Sequence, residues 1–246
     1  MRLYLRQMND LKKAHAAKLT TTLRQLVLNL MRLDNVDDPT RFHGKSLTED
    51  QYDVARTKPV WNGSICRFHG VLLTFFGHHI CKADFLVQKG HDYLAKVQVA
   101  MPCIMQDTYL NGVSCFAAAR ETGKSHYAKL GEICRSKIKK WISKGNPNVR
   151  HYEALLDAEA MAWQGKYSAA LKHFEVAILL SGRGGYQHDL AFASERLGEF
   201  QLSIMKDKDE GVYRLREAGR YWRCWGAHAK VESLEQRSAV LFGLQK

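Results

Sequence analysis

Proline is scarce in this chain, with four residues in 246. That scarcity favours helices with short connections and argues against an all-β fold, whose many turns draw on proline and glycine. Long apolar runs are missing too. The longest, "GVLLTFFG" (70–77), falls well short of the roughly 18 residues that cross a bilayer. The opening "MRLYLRQMNDLKKAH" (1–15) has no apolar stretch of the secretory type. No segment alternates apolar and polar residues as a half-buried strand does. Cys66, Cys81, Cys103, Cys115, Cys134 and Cys224 show no paired spacing. Reduced thiols and a cytoplasmic location are expected, with no membrane partner.

What is present is an ordinary globular composition, 46% hydrophobic and 25% charged, enough for a sizeable core. The formal net charge is +12, which suits a nucleic acid or an acidic partner surface. The excess is not one block. Its densest piece, "RSKIKKWISKGNPNVR" (135–150), carries Ile138, Trp141 and Ile142 at helical spacing. That pattern predicts the solvated face of an amphipathic helix.

Apolar residues recur at three- and four-residue spacing nearly throughout. Leu3, Met8, Leu11, His15, Leu19, Leu23, Leu26 and Leu30 form one stripe, predicting a helix to about Leu33. Residues 33–51 are polar and irregular. Further helices are expected near 49–57, 60–79, 81–100, 105–121, 124–144, 148–164, 167–182, 186–203, 207–225 and 227–242. Pro59, Gly77, Pro102, Gly123, Gly145 with Pro147, Gly165, Gly182–Gly185 and Gly226 punctuate them. The expected fold is all-α, a tetratricopeptide-like array of helical hairpins forming an α-α superhelix. Residues 1–58 would supply an N-terminal helix, the irregular connection and a short helix, and 59–246 the array.

The repeat is clearest over 148–182 and 186–225, followed by a terminal helix at 227–242. Ala158, Met161, Gly165, Tyr167, Ala170, Phe174 and Ala177 occupy the small and aromatic positions of one unit. Ala191, Gly198 and Phe200 follow Ala158, Gly165 and Tyr167 at a shift of 33, whereas Gly211, Leu215 and Ala218 follow Ala170, Phe174 and Ala177 at a shift of 41. The second unit therefore holds eight extra residues, around "QLSIMKDK" (201–208). A hairpin cannot bury its apolar face alone, so such units stack and present an extended binding surface. The chain opens on an amphipathic helix with no evident capping repeat, and is expected to be part of something longer.

The strings that suggest chemistry weaken on inspection. Gly123-Lys124-Ser125 spells the end of a phosphate loop, but the loop's first glycine would fall at Ala118. The preceding "NGVSCFAAARE" (111–121) is helical in character, so no strand aims amides at phosphate. A helix–helix turn is expected there, and no nucleotide site. His15 and His126 lack the acidic and proline context of a phospho-acceptor box. Cys66, His69, His78, His79 and Cys81 have no tight pair to anchor a metal. "SGRGGYQHD" (181–189) lacks dinucleotide-loop spacing, and the formal sequon Asn62-Gly63-Ser64 is irrelevant in a cytosolic chain. Tyr213, Tyr221, Trp222 and Trp225 could stack on bases; their helical spacing suits packing between terminal helices better.

Five strings together carry a resemblance. They are "RQLVLNLM" (24–31) with Asp38-Pro39 and Gly44 downstream, "FAAARETGKSHY" (116–127), "HYEALLDAEAMAWQGKYSAALKHFEVAILL" (151–180), "HDLAFASERLGEF" (188–200) and "YRLREAGRYWRCWGAHAKVESLEQ" (213–236). From about residue 20 to 240 the chain resembles the helical region that follows the ATPase domain in large AAA-ATPase-coupled signalling proteins. Those proteins join the ATPase module to protein-kinase-like, histidine-kinase, sensor or cyclase domains. The last string resembles the family's Tyr-Leu-x-Glu-Ala helix, Trp-Gly-Ala turn and Lys-Val-x-x-Leu helix, with Arg214 in place of the pattern's Tyr. The resemblance implies a tetratricopeptide-like scaffold between catalytic modules, and it supplies no catalytic residue.

The sequence thus points to a non-catalytic helical-repeat scaffold without cofactor or metal, binding a protein partner or neighbouring catalytic domains. A basic nucleic-acid-binding repeat is the alternative. By repeat geometry the binding face would carry Tyr152, Leu155, Glu159 and Trp163.

Overall fold

The computed structural model describes residues 2–10, 14–34, 37–56, 59–90, 92–93, 96 and 103–242. Among them are twelve α-helices and no strand. We number these α1 (Arg2–Asp10), α2 (Ala14–Leu30), α3 (Glu49–Arg56), α4 (Pro59–Phe75), α5 (His79–Lys89), α6 (Ile104–Thr122), α7 (Ser125–Ser143), α8 (Arg150–Trp163), α9 (Tyr167–Arg183), α10 (Gln187–Phe200), α11 (Lys208–Trp225) and α12 (His228–Phe242). The all-α expectation holds. Most boundaries from residue 104 onward lie within two residues of those read from the sequence.

Local chemistry explains the helix ends. Gly123, Gly165 and Gly226 adopt left-handed φ values of 73°, 74° and 87°, which cost glycine nothing and stop a helix. Asp207 caps α11 by accepting from the Glu210 amide at 3.1 Å. Thr48 and Gln51 form a reciprocal box at the start of α3: each side chain accepts from the other's amide, at 3.1 and 3.3 Å. Two expected helices stop before their expected ends. The one expected to run to residue 79 stops at Phe75, because Gly77 (φ 80°) lets the His78 amide fold back onto the Leu73 carbonyl at 2.8 Å. Likewise α2 stops at Leu30, where left-handed Arg32 brings the Leu33 amide to the Leu28 carbonyl at 3.0 Å. The second half of the expected helix 81–100, and the break at Pro102, fall largely or wholly outside the described residues; α5 ends at Lys89 before Gly90 (φ 90°).

The irregular stretch after α2 is clamped by two buried amides on that helix. Gln25 Oε1 accepts from the Ser46 and Leu47 amides at 2.9 and 3.0 Å, and its Nε2 donates to Asp34 at 2.9 Å. Asn29 Nδ2 donates to the Pro39 and Arg41 carbonyls at 3.0 and 2.8 Å. The loop thereby delivers Phe42 and Leu47 to the core while these amides pair four of its backbone groups.

From α6 onward, consecutive helices pack as pairs: α6 on α7, α8 on α9, α10 on α11, with α12 against α11. The matched small and aromatic positions fall between them. Ala158, Ala170, Phe174, Ala177, Ala191 and Ala218 are all fully buried. Ile138 on α7 is buried too, Trp141 and Ile142 are half-buried, and Lys140 and Lys144 face solvent, as an amphipathic helix requires.

The two segments matched in sequence differ around residues 201–208. Gly165 ends α8, but Gly198 lies inside α10, and Gln201–Met205 continue that helix as a π-turn. Gly198 and Gly211 face each other across α10 and α11; a Cβ on Gly198 would lie 3.0 Å from the Gly211 carbonyl.

The N-terminal helices reach the far end of the chain. Phe75, at the close of α4, packs against Phe192, Trp222 and Trp225 with ring centroids 5.3, 4.9 and 6.4 Å away. Packing of α2 on α12 adds the ion pair Arg32–Glu232 at 3.0 Å.

Candidate functional site

Charged residues interrupt the small-residue faces of α6, α8, α10 and α12, and these faces meet on one side of the fold. There they form a ladder of alternating sign. Glu159 on α8 is fully buried; its carboxylate takes Arg120 Nη1 of α6 at 2.5 Å and Arg196 Nε of α10 at 2.8 Å. Arg196 also donates to Glu199 one turn on, and Glu199 accepts from Arg237 on α12. Below this run, Glu195 receives the Lys230 ammonium at 2.6 Å and the Trp222 indole N–H at 2.9 Å. His79, from the α4–α5 corner, closes the ladder with Nε2 at 3.2 Å from Arg196 Nη1 and Nδ1 at 3.4 Å from Ser114.

Burial taxes every one of these charges, and pairing offsets the cost only where the partners are close. Glu159 resists the upward push of burial because Arg120 and Arg196 hold its carboxyl below the ordinary range. Burial acts the same way on Glu199, but Arg196 and Arg237 bring it down to about 2. For His79 burial dominates and Arg196 adds to it, pushing the imidazole down to about 3. The imidazole is therefore neutral at pH 7, and Nε2 accepts from the guanidinium.

Above the ladder lies a cavity of about 720 Å³, within the roughly 300–1,000 Å³ usual for binding sites. Apolar side chains, among them Phe76, Leu202, Leu215 and Leu234, contribute to its lining alongside Arg120, Arg196 and Arg237. The continuation of α10 supplies one wall through Leu202, Ser203 and Ile204, and Lys206 sits at its end. The 201–208 stretch therefore builds part of this cavity. Lys206 adopts φ 59°, a left-handed conformation that a non-glycine residue takes at a cost of order 1 kcal/mol. Lys206→Gly is expected to raise the unfolding free energy by about 1 kcal/mol, read from the urea midpoint at constant m-value.

A second buried charge cluster joins α4, α5 and α6. Arg67 Nε donates to Asp107 at 2.7 Å, while Nη1 and Nη2 have no hydrogen-bond partner among the described residues. Lys82 is buried beside them, with Nζ where a Cβ on Gly70 would be 2.2 Å away. Two cations thus share one carboxylate. Burial drives the Lys82 ammonium down to about 8 despite Asp107. Below that pH it is protonated folded and unfolded, so its burial penalty is complete; between about 8 and 10.5 the unfolded chain binds more protons and stability rises. Lys82→Met should stabilise the fold by about 1–3 kcal/mol at pH 7 and remove that alkaline rise, both measurable by urea unfolding at pH 7 and pH 10.

Of the residues expected on a binding face, Leu155 and Glu159 are fully buried, and Tyr152 and Trp163 are half-buried. Tyr152 stacks on Tyr109 at 4.1 Å, and burial with the nearby Asp189 carboxylate raises its phenol well above the ordinary range. Glu159 alone of the four belongs to the ladder, beneath the cavity. Arg120, Arg196, Glu199, Lys206 and Arg237 were not anticipated. For Arg120 and Arg196 a signal was present as charges set beside small residues, in "AAARE" (117–121) and "ASERLG" (193–198), because a charge on a buried small-residue face has to find a partner. Glu199, Lys206 and Arg237 carried no such signal.

Gly123 forms the turn between α6 and α7, Lys124 precedes α7, and Ser125 begins it. Cys115 and Cys134 are buried, free thiols; burial raises both, Cys134 to about 12. Among the described residues no group of three or more His, Cys, Asp or Glu could hold a metal ion, and no helix is long and apolar enough to cross a membrane. The chain matches no family model, no curated protein and no solved structure.

Proposed function

We propose that this chain is a non-catalytic helical-repeat scaffold, tetratricopeptide-like in arrangement, that holds a protein partner or a neighbouring catalytic domain over the cavity. The observation that carries the reading is the convergence of four helices and the α4–α5 corner on one open site, with the second unit's insertion forming a wall. Helical arrays characteristically bind through such inward surfaces. The state of the ladder supports a non-catalytic role. Its carboxylates are committed to arginine and lysine, and His79 is held neutral far below its working range for proton transfer at pH 7. Within this reading the chain is a cytoplasmic segment, or a detached piece, of a large ATPase-linked signalling protein.

Site-specific photocrosslinking tests it. A crosslinker at Ser203, on the cavity wall, should trap a discrete protein partner in cells, whereas one at Val176, on the outer face of α9, should not. Equal capture at both positions, or none at Ser203, would count against the proposal.

The nucleic-acid alternative rests on the net charge of +12 and the exposed Lys129, Lys140 and Lys144 of the α7 region. It requires affinity for single-stranded RNA or DNA that falls steeply with salt. Arg135 and Lys139 on the same helix are already engaged by Asp157 of α8, which leaves a sparse cationic face and favours the protein reading.

A further inference from the structure

We infer that the cavity selects an acidic peptide segment, one that places an apolar side chain beside carboxylates. This rests on the reading of the site as a protein-binding groove, and it names the chemistry of the partner. Three of the cations lining the cavity have donors to spare. Among the described residues, Arg120 uses only Nη1, on Glu159; Arg237 gives its terminal nitrogens to Glu199 and Glu195 and leaves Nε without a bond; Lys206 has no hydrogen bond or ion pair. On the opposing side, Glu199 is engaged by both Arg196 and Arg237. Glu121, exposed at the edge of α6, is the one carboxylate lining the cavity without a partner among the described residues.

The imbalance decides what fits. A neutral apolar occupant would fill the space against Phe76, Leu202 and Leu234, but would cover guanidinium and ammonium donors without pairing them, which is costly. A basic occupant meets three cations. An acidic occupant pairs them while its apolar side chain takes the greasy wall, so both halves of the lining are used. Lys206 is the most telling residue. It stands at the end of the inserted wall in a backbone conformation that glycine would adopt more easily, and its ammonium is uncommitted.

A random dodecapeptide library displayed on phage and selected against the full chain tests the inference. The enriched pool should be acidic, with Leu, Ile or Phe beside Asp or Glu. Individual enriched peptides, measured by fluorescence anisotropy, should bind about tenfold more weakly to Lys206→Glu and about threefold more weakly to Lys206→Gly. The glycine variant should be no less stable than the parent, which separates lost binding from lost folding. A neutral or basic pool that is still sensitive to Lys206 would overturn the acid preference and leave the peptide groove standing. Failure of any peptide to enrich would remove both. A labelled oligo(U) that binds with the same dependence on Lys206, in the absence of peptide enrichment, would assign the cavity to phosphates instead.

Discussion

Glu159→Ala is expected to lower the unfolding free energy by about 3–5 kcal/mol, the usual cost of stranding a buried charge. The change removes the anion that separates Arg120 from Arg196, and Arg196, the more buried of the two, keeps only Glu199. Glu159→Gln is the discriminating control. It keeps the volume and could accept one hydrogen bond, yet it also leaves two cations facing each other, so its loss should approach that of alanine. Acid titration gives an independent reading. Glu159 and Glu199 both have carboxyls below their unfolded values, so their contribution is complete above about pH 4.5 and is lost as the pH falls, for Glu199 through about 2. The parent should therefore lose stability more steeply than Glu159→Ala across that window. Urea denaturation at pH 7, 4 and 3 measures both effects. A loss below about 1 kcal/mol at pH 7 would mean the ladder is not a paired, buried structure.

Phe75→Ala should cost a similar amount, about 3–5 kcal/mol, the range for removing a buried phenylalanine. Phe75 is 2% exposed and joins α4 to three aromatic rings on α10 and α11. The same corner holds Phe76 under the Lys230 ammonium at 5.3 Å and presents His79 to Arg196. Its loss should be felt beyond the cavity left behind. Amide exchange should quicken in α4, α5, α10 and α11, while α8 and α9, which carry none of the rings packed on Phe75, keep their protection. Uniform exchange across the molecule, or a cost near 1 kcal/mol, would show that the N-terminal helices are not docked through this residue. The two variants also probe different physics. Added salt should barely alter the Phe75→Ala penalty, and it should modestly reduce that of Glu159→Ala as counterions screen the stranded pair.

Helix content and boundaries were legible in the sequence because their causes are local. Gly123, Gly165 and Gly226 stop helices by conformations that few other residues accept, and the alanine and phenylalanine spacings mark the buried stripe whatever packs against it. Local signals also misled. Helices were expected to run past Phe75 and Leu30, because periodicity does not register an amide folding back at a left-handed residue. The insertion was visible as a change of shift from 33 to 41, but not that it would become a π-turn lining a cavity.

The site was legible only in fragments. Glu159 was identified from repeat geometry as a surface contact, whereas Arg120 and Arg196 enclose it 39 and 37 positions away in sequence. His79 joins Arg196 across a separation of 117. The sequence by itself determined which stretches are helical and, where a left-handed glycine stops them, where they end. The tertiary structure alone decided which charges meet, which donors are left over, and that the N-terminal corner completes the groove. Pairing depends on distances between segments that share no local constraint, so it exists only once the helices have stacked.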